Sequence, residues 1–578
     1  MSGLRTPQLG PIVGHTAHDR CRIWVRARAS RDEGTQLGAE MRTLGMLGVV
    51  DRRGKVQVDE ATGLPCAYYF RLHREFDRTG TFVLGQEPSL GGLDGPEPSP
   101  LSPDTEYRVR VATLTVDDPL PDAESLDDSD LASRLPALAQ MAPLLESLDP
   151  TECEARFRTF PDPAAGPADE LSFLIGSCRY PGLLWKVKEA DRIFGPMAGQ
   201  MRRQGGRTPA RFTLLMGDQI YADKFNRHLP LGRADTFDEM QARYHEAFGA
   251  PNMRSLLSQC PVYMILDDHE IEDNWSQDRL RDNHHLFNIA IGAYMSYQWS
   301  HGPRSFGRRL FYRFECGGYP FFVVDTRTQR YRQRAGLGDN HLLGRPSLDA
   351  DPAHKSQLDR LLEWLSHQQA QRGNVPKFLV TASVFAPSPI DERLGNELRD
   401  DPERRVLEAN LEKREASDSW PAYPRTRRAI LQHLHDHGIQ NVVFLSGDVH
   451  CANIARLRFE TEAGESDLVA YDVTSSALYW PFPFADGDPN GFVHDSRADD
   501  QYDGFPLAGS DANGQGATEV HYRAWGFSQK DNFCRLELDK ARQRLRVRVF
   551  DAHGQPVTVS DAEGRMVEHN DLPLAPWD

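Results

Sequence analysis

Val262-Tyr263-Met264-Ile265-Leu266-Asp267-Asp268-His269-Glu270 is the stretch on which the fold turns. Five apolar residues in succession, without the alternation of a half-solvated strand, describe a strand buried on both faces. The run then stops on three acids and a histidine. Five further runs have the same character: Leu171–Ile175, Phe212–Met216, Phe321–Val324, Phe378–Val380 and Val442–Leu445. Helical patterns lie between them. Leu358, Leu361, Leu362 and Leu365 form one stripe at i, i+3, i+4, i+7 ahead of Gly373, which predicts a helix stopped by that glycine. Strand–helix–strand alternation defines an α/β core.

Outward from this core the character changes. From Pro11 to about Phe160 the chain reads as short strands separated by turn residues. Arg22–Ala27 and Tyr107–Val111 alternate apolar with basic residues, the pattern of a half-buried antiparallel sheet. A Gly/Pro-rich stretch, Leu90–Pro103, overlaps the phrase Leu101-Ser-Pro-Asp-Thr-Glu-Tyr107, which resembles the approach to a strand in fibronectin type III-like sandwiches. Asp117–Asp130 holds seven acids in fourteen residues with no Lys or Arg, and reads as a solvated surface insertion extending toward Pro150. A calcium loop or a partner-binding tail is the other reading of that run. Pro161–Pro167 is a Pro/Ala/Gly linker. Beyond the loop-rich Asp486–Gly516, two more strands are expected at Phe533–Leu538 and Leu545–Phe550. The expected organisation is an N-terminal all-β, fibronectin III/Ig-like sandwich over 1–165 and a catalytic unit over 166–578.

Composition sets outer limits. At 578 residues the length alone suggests about four domain-sized units. Acids number 84 against 67 Lys and Arg, a net charge of −17. That balance argues against a general nucleic-acid or anionic-membrane binder, which would need clustered cations. It does not exclude a phosphate-bearing substrate, because bound cations reverse the local sign. Hydrophobic content of 39% with 26% charged residues is that of a globular chain. The eight cysteines contain no CxxC pair and read mostly as reduced, small buried residues. No apolar run of about 18 residues appears. The first residues show neither an apolar signal region nor a twin arginine, so a cytoplasmic location is the expectation. The oligomeric state stays open.

Four of the buried runs end in residues able to hold a metal: Gly176-Ser-Cys178-Arg179-Tyr180, Gly217-Asp218-Gln-Ile-Tyr221-Ala-Asp223, Asp267-Asp268-His269-Glu270 with Asp273-Asn274, and Gly447-Asp448-Val-His450. In α/β sheets, ligands gather at the carboxyl ends of strands. Each residue also has a plainer reading. Cys178 alone is equally a small core residue. Asp218 could cap a helix, Tyr221 could be a core aromatic and His450 a satisfied core histidine. Together they form a candidate set. Cys, Tyr and His favour a redox-capable or borderline metal, with thiolate and phenolate suited to Fe3+. The remaining Asp and Asn oxygens suit a harder cation such as Ca2+ or Mn2+. Asp218 is placed to bridge two metals, which could clamp a phosphoryl group.

The segments GSCRYPG, GDQIYAD, DDHEIEDNW and GDVH resemble, in order, those of the alkaline phosphatase D (PhoD) family, among the calcineurin-like, purple-acid-phosphatase-related metallophosphatases. FVVDTRTQR around Asp325, Arg327 and Arg330, and Asp418-Ser-Trp420-Pro-Ala-Tyr423, add to the likeness, as do LGPIVGHT and RIWVRA in the N-terminal part. The resemblance spans about Gly10 to Gly526. It implies a four-layer α+β metallophosphatase sandwich hydrolysing phosphate monoesters, and also diesters, with Fe3+ and Ca2+. By motif position it implies iron held by Cys178, Asp218, Tyr221 and His450, and calcium held by Asp218, Asp268 or Asn274, and Asp448. His269 would serve the leaving group or a phosphoryl oxygen, and Arg179 would clamp the anion. The chain departs from secreted members in showing no twin-arginine signal. In a cytoplasm poor in free calcium, Mn2+, Mg2+ or Zn2+ would take the second position.

The expected chemistry is in-line attack by a metal-held hydroxide on a small-molecule phosphoester, with His269 protonating the leaving alkoxide. A nucleotide or lipid phosphodiesterase on the same site is one alternative, and a non-catalytic, metal-stabilised binding protein is another. An iron oxygenase would want two histidines and one carboxylate, which this set does not match.

Overall fold

The computed structural model describes residues 3–29, 41–90, 96–119, 134–182, 187–202, 208–223, 232–332, 340–344, 351, 353–387, 418–461, 464–482, 492–497, 505–507 and 518–578. Its first seven strands are β1 (Leu9–Thr16), β2 (Cys21–Arg26), β3 (Met41–Val50), β4 (Ala67–Arg71), β5 (Thr79–Leu84), β6 (Glu106–Pro119) and β7 (Glu154–Arg158). They form two antiparallel sheets, β1-β2-β5 and β4-β3-β6-β7. Ile23, Val25 and Phe82 of one sheet share an apolar cluster with Leu47, Phe70, Val109 and Val111 of the other.

The alternation in β2 does not leave its second face wet. Trp24 is buried on that face, its indole N–H donating to the Ser296 carbonyl at 2.9 Å. Arg26 is buried too, forking both oxygens of Asp77 at 2.7 Å. Asp77 also faces Nε2 of His245 at 3.0 Å and accepts from the Tyr297 hydroxyl. The basic residues of an alternating strand are therefore compensated by a distant acid and by helices rather than by solvent. Of the acidic stretch, residues 120–133 lie outside the described residues. The part that follows is not all surface: α1 (Leu138–Glu146) buries Leu138, Met141 and Leu145 against β3, β4 and β6.

The six buried runs form strands, divided between two larger sheets. β8 (Glu170–Gly176), β9 (Thr213–Leu215) and β10 (Val262–Met264) run parallel in the first. β11 (Tyr312–Cys316), β12 (Tyr319–Val323), β13 (Lys377–Val380) and β14 (Val442–Ser446) belong to the second, with β12, β13 and β14 parallel. That sheet continues through β15 (Ala452–Thr461), β16 (Gly464–Glu465), β17 (Ala470–Ser475), β18 (Phe505–Pro506) and β19 (Glu519–Ser528). β20 (Asn532–Asp539) and β21 (Arg544–Asp551), both expected from the sequence, pair antiparallel and attach to β8. β22 (Val559–Ser560) and β23 (Met566–Val567) pair with each other, and β24 (Asn570–Pro573) closes the edge beside β21.

The unbroken apolar runs follow from this stacking. Phe173, Ile175, Phe321, Val323, Phe378, Val380, Val443 and Leu445 meet in one core between the two sheets. The alternate residues Phe322, Leu379 and Phe444 point to a second core with α4 (Gln357–Arg372) and α5 (Pro424–Asp436), and Leu174 to a third with α2 (Phe237–Gly249) and α3 (His284–Tyr297). Successive residues thus feed opposite faces that are both dry. α4 begins at a Ser356–Asp359 capping box and ends at Gly373, which takes φ 58° as the stripe predicted. No described helix is long and apolar enough to cross a membrane. All eight cysteines are free thiols, seven of them buried.

Candidate metal centre

The loops that leave β8, β9, β10 and β14 at their carboxyl ends meet. The backbone N–H groups of Cys178 and Arg179 donate to the carbonyls of Gly217 and Asp218 at 3.2 and 2.9 Å. Gly217, at φ 96°, admits this approach: a Cβ there would stand 2.5 Å from Cβ of Asp267. Gly447 lies so close that a Cβ would meet Ser177 Oγ at 2.6 Å and the carbonyls of Ala382 and Met216 at 2.9 Å. The glycines of the Gly-Asp steps are thus required by contact between strand ends.

Carboxylate oxygens of Asp218, Asp267, Asp268 and Asp448 all lie within 4.8 Å of one another, and Asp218, Asp268 and His269 form a second such group. All of these acids are buried except Asp448, which is half-buried. Asp218 accepts from the Tyr221 hydroxyl at 3.4 Å and from the His269 backbone N–H at 3.3 Å. Asp268 accepts from the Asn274 N–H at 2.6 Å. Tyr221 stacks on His269 with centroids 4.2 Å apart, and His450 stacks on Trp480 at 3.6 Å. Cys178 and His450 fall outside both carboxylate groups; the Cys178 thiol feels the charges of Asp218 and Asp448, while its Sγ lies 3.5 Å from Ser177 Oγ. Asp268, His269, Asn274, Asp418, Asp448 and His450 line a cavity of about 290 Å³.

Backbone conformation marks the same residues. Cys178, Asp218, Asn274, Asp448 and His450 all adopt left-handed φ, between 55° and 78°. They are half of the ten described non-glycine residues that do so. Asn, Asp and His tolerate that region better than other side chains, whereas Cys does not favour it, and such strain collects at functional sites.

Electrostatically the site is dominated by crowded acids. Burial pushes Asp218 and Asp448 far above the usual carboxylate range, and neighbouring carboxylates add to the rise. Burial also lifts Asp267, to about 7, despite its bond to Arg327. Burial opposes ionisation of Asp268 as well, but Arg327 and His269 outweigh it and hold that group low. Burial and the carboxylates raise Cys178 and Tyr221. His269 is held protonated against burial by Asp223, Asp268 and Asp218.

Several residues organise the site to which the sequence assigned no role of their own. Glu270, buried, accepts from the N–H groups of Asp218, Gln219 and Asp267 at 3.1, 2.7 and 2.9 Å, tying two strand ends together. Asp223 accepts from His269 Nδ1 and from the Asp273 N–H, both at 2.7 Å. Arg327, fully buried, bonds Asp267 through Nε, lies 2.5 Å from Asp418 and 3.3 Å from Asp268, and comes within 3.7 Å of Asp448. Arg330 holds the other oxygen of Asp418. The sequence signal was DDHEIEDNW for Glu270, GDQIYAD for Asp223, and FVVDTRTQR together with Asp418 for the arginines; it marked the positions without their role.

Arg179 is the one expected site residue that stands apart. It is 1% exposed, and the charges acting on it are those of Asp191 and Glu246 rather than the clustered acids. Like Cys178, Asp218 and Tyr221, it does not line the cavity. Its backbone forms an isolated bridge with Tyr479 just beyond the left-handed turn at Cys178.

A family model of PhoD-like phosphatases matches residues 191–502, more than half of the chain. Alkaline phosphatase D of Bacillus subtilis (strain 168) is 21% identical over 261 residues, covering 42% of this chain and 40% of that protein. The chain therefore matches less than half the length of that curated relative. A solved structure described as "Structure of PhoD" superposes with a TM-score of 0.56 at 15% identity, covering 98% of this chain and 93% of the other. At that identity the likeness concerns the mixed α/β fold.

Proposed function

We propose, from the premise that this chain belongs to the PhoD-like phosphatase family, that it is a metal-dependent phosphoester hydrolase whose chemistry occurs at the carboxylate cluster. The observation that carries this reading is the convergence of Asp218, Asp267, Asp268 and Asp448 from separate strand ends within 4.8 Å. Buried like charges at that spacing are unfavourable unless protons or cations neutralise them. Asp267 Oδ2 and Asp268 Oδ1 are buried and accept no hydrogen bond. The donor set therefore fits metal ions.

We assign Asp218, Asp268, Asn274 and Asp448 to a hard cation, Ca2+ or in its place Mn2+, Mg2+ or Zn2+. Cys178, Tyr221 and His450, sharing Asp218, are assigned to Fe3+. Bound there, the pair would supply Lewis acidity toward water and the phosphoryl oxygens. The chain's own groups do the rest. Asp223 binds Nδ1 of His269, leaving Nε2 to pass a proton to the leaving oxygen of the ester. Arg327 holds Asp267 and Asp268 in register with Asp418. Arg179 has no role in this reading. The two N-terminal sheets are read as a fibronectin III-like sandwich over residues 1–165, supported by the Tyr107 hydroxyl accepting from the Ser102 N–H at 2.9 Å. The two large sheets with their flanking helices are read as the four-layer catalytic unit.

The test is Asp218→Asn, assayed for metal content and for turnover of p-nitrophenyl phosphate and bis(p-nitrophenyl) phosphate. Loss of bound metal with at least a hundredfold fall in turnover is expected. Wild-type rates with unchanged metal content would reject the site, and the ratio of the two substrates separates monoesterase from diesterase action.

A further inference from the structure

A second cleft, of about 610 Å³, opens between the β1-β2-β5 sheet and the β11 edge of the largest sheet. It shares no lining residue with the carboxylate-lined cavity. Arg20 and Arg22 enter it from the N-terminal sheet, Arg304 and Arg313 from the other side, with His18 and His367 at its walls. In a chain with an excess of acids, the charge here is inverted. Among the described residues no carboxylate lies within 4.0 Å of Arg22, Arg304 or Arg313, and Arg20 has only the adjacent Asp19 at 3.8 Å.

What holds these guanidinium groups is not opposite charge. Arg22 donates to the Ser300 carbonyl at 3.3 Å, Arg304 lies 4.4 Å over the Trp299 ring and Arg313 5.4 Å over Phe306. Two acids are near. Glu87 bonds the Val83 N–H at 3.0 Å and partly offsets the cations, and Glu315 is engaged by Arg372 at 2.6 Å. Burial, with the charge of Arg304 adding to it and that of Glu87 opposing it, pulls Arg22 down to about 10. Four arginines face this concave site, and the one acid among its lining residues, Glu315, is engaged by Arg372; arginines so placed are suited to bidentate capture of phosphate oxygens. The volume lies in the range of small-molecule sites.

We infer that this cleft binds a small polyanion of the diphosphate class, at a site separate from the hydrolytic centre. The anion completes the charge balance that the described residues leave open between the two sheets. The same chemistry is carried by inorganic diphosphate and by the diphosphate of a nucleotide.

Titration calorimetry of the full, metal-loaded chain tests this with two inert probes, imidodiphosphate and adenosine 5′-(α,β-methylene)diphosphate. One equivalent of binding is expected in the wild type that is at least tenfold weaker in R22Q/R304Q, while p-nitrophenyl phosphate turnover without polyanion is unchanged. Tighter binding of the nucleoside probe identifies a nucleotide as the source, and equal binding identifies the inorganic anion. Should the double variant fail to fold, R304Q alone, at an exposed position, is expected to weaken binding at least threefold. Wild-type binding stoichiometry and affinity in the variants would overturn the assignment whether or not the hydrolytic reading stands.

Discussion

Replacing Arg327 by methionine removes one guanidinium from four carboxylates at once, those of Asp267, Asp268, Asp418 and Asp448. Methionine keeps most of the volume, so the loss is one of charge and hydrogen bonds rather than packing. Breaking one buried ion pair by removing a partner costs about 3–5 kcal/mol, because the remaining charge is left uncompensated. That figure applies once and not four times, since the acids share a single cation and Asp418 retains Arg330. Against a total stability of about 5–15 kcal/mol this is a large fraction. Urea unfolding in the presence of a chelator should therefore show a clear fall in midpoint for R327M. Cations restored to the same carboxylates supply the missing positive charge, so the metal-loaded variant should lose less. Turnover should fall about 10–100-fold, the usual effect of losing a group that orients metal ligands. R327K, which keeps the charge without the planar fork, should lie between. An R327M protein with wild-type midpoints in chelator and wild-type turnover would refute a positioning role for this residue.

Asp77→Ala should destabilise the chain by about 3–5 kcal/mol, read as a lower denaturation midpoint, because it strips the fork from buried Arg26 and the partners from His245 and Tyr297. Asp472, buried in β17, accepts from the N–H groups of Phe385 and Ala386 at 3.1 and 2.8 Å, yet burial raises it from 3.8 to about 7. The folded state thus holds this proton longer than the unfolded chain, and the stability it contributes is full below pH 4 and lost as pH rises through 7. Asp472→Asn should flatten that decline and add about 1–2 kcal/mol at pH 8, measured as melting temperature against pH. Gly447→Ala should cost about 1–3 kcal/mol and displace Asp448, since its methyl would press on Ser177 Oγ and two backbone carbonyls that cannot yield freely. A variant with unchanged midpoint and metal content would show that the strand ends have slack.

The six buried strands were legible in the sequence because a strand dry on both faces carries its signature locally, in an unbroken apolar run. The same holds for the residues at the strand ends: polar groups directly after such runs emerge at one edge, and Asp218, Asp268 and Asp448 do meet there. The helix before Gly373 was legible for a similar reason, since its stripe and stop lie within one segment. Periodicity records which positions are buried but not against what. It could not divide the runs between two sheets, nor show that the second face of β2 packs on helices. It placed Arg179 in the right loop, but not its side chain, which is buried among the charges of Asp191 and Glu246. Charge compensation is the least local property of all. Arg327 lies 60 residues from Asp267 and 91 from Asp418, and Arg26 lies 51 from Asp77. The sequence by itself determined the sheet-forming core and the donor types at its strand ends, because both are written in consecutive residues. Only the tertiary structure decided which acids share a cation and which arginines in this acidic chain gather in one cleft, because Coulomb energy depends on distance through space and not along the chain.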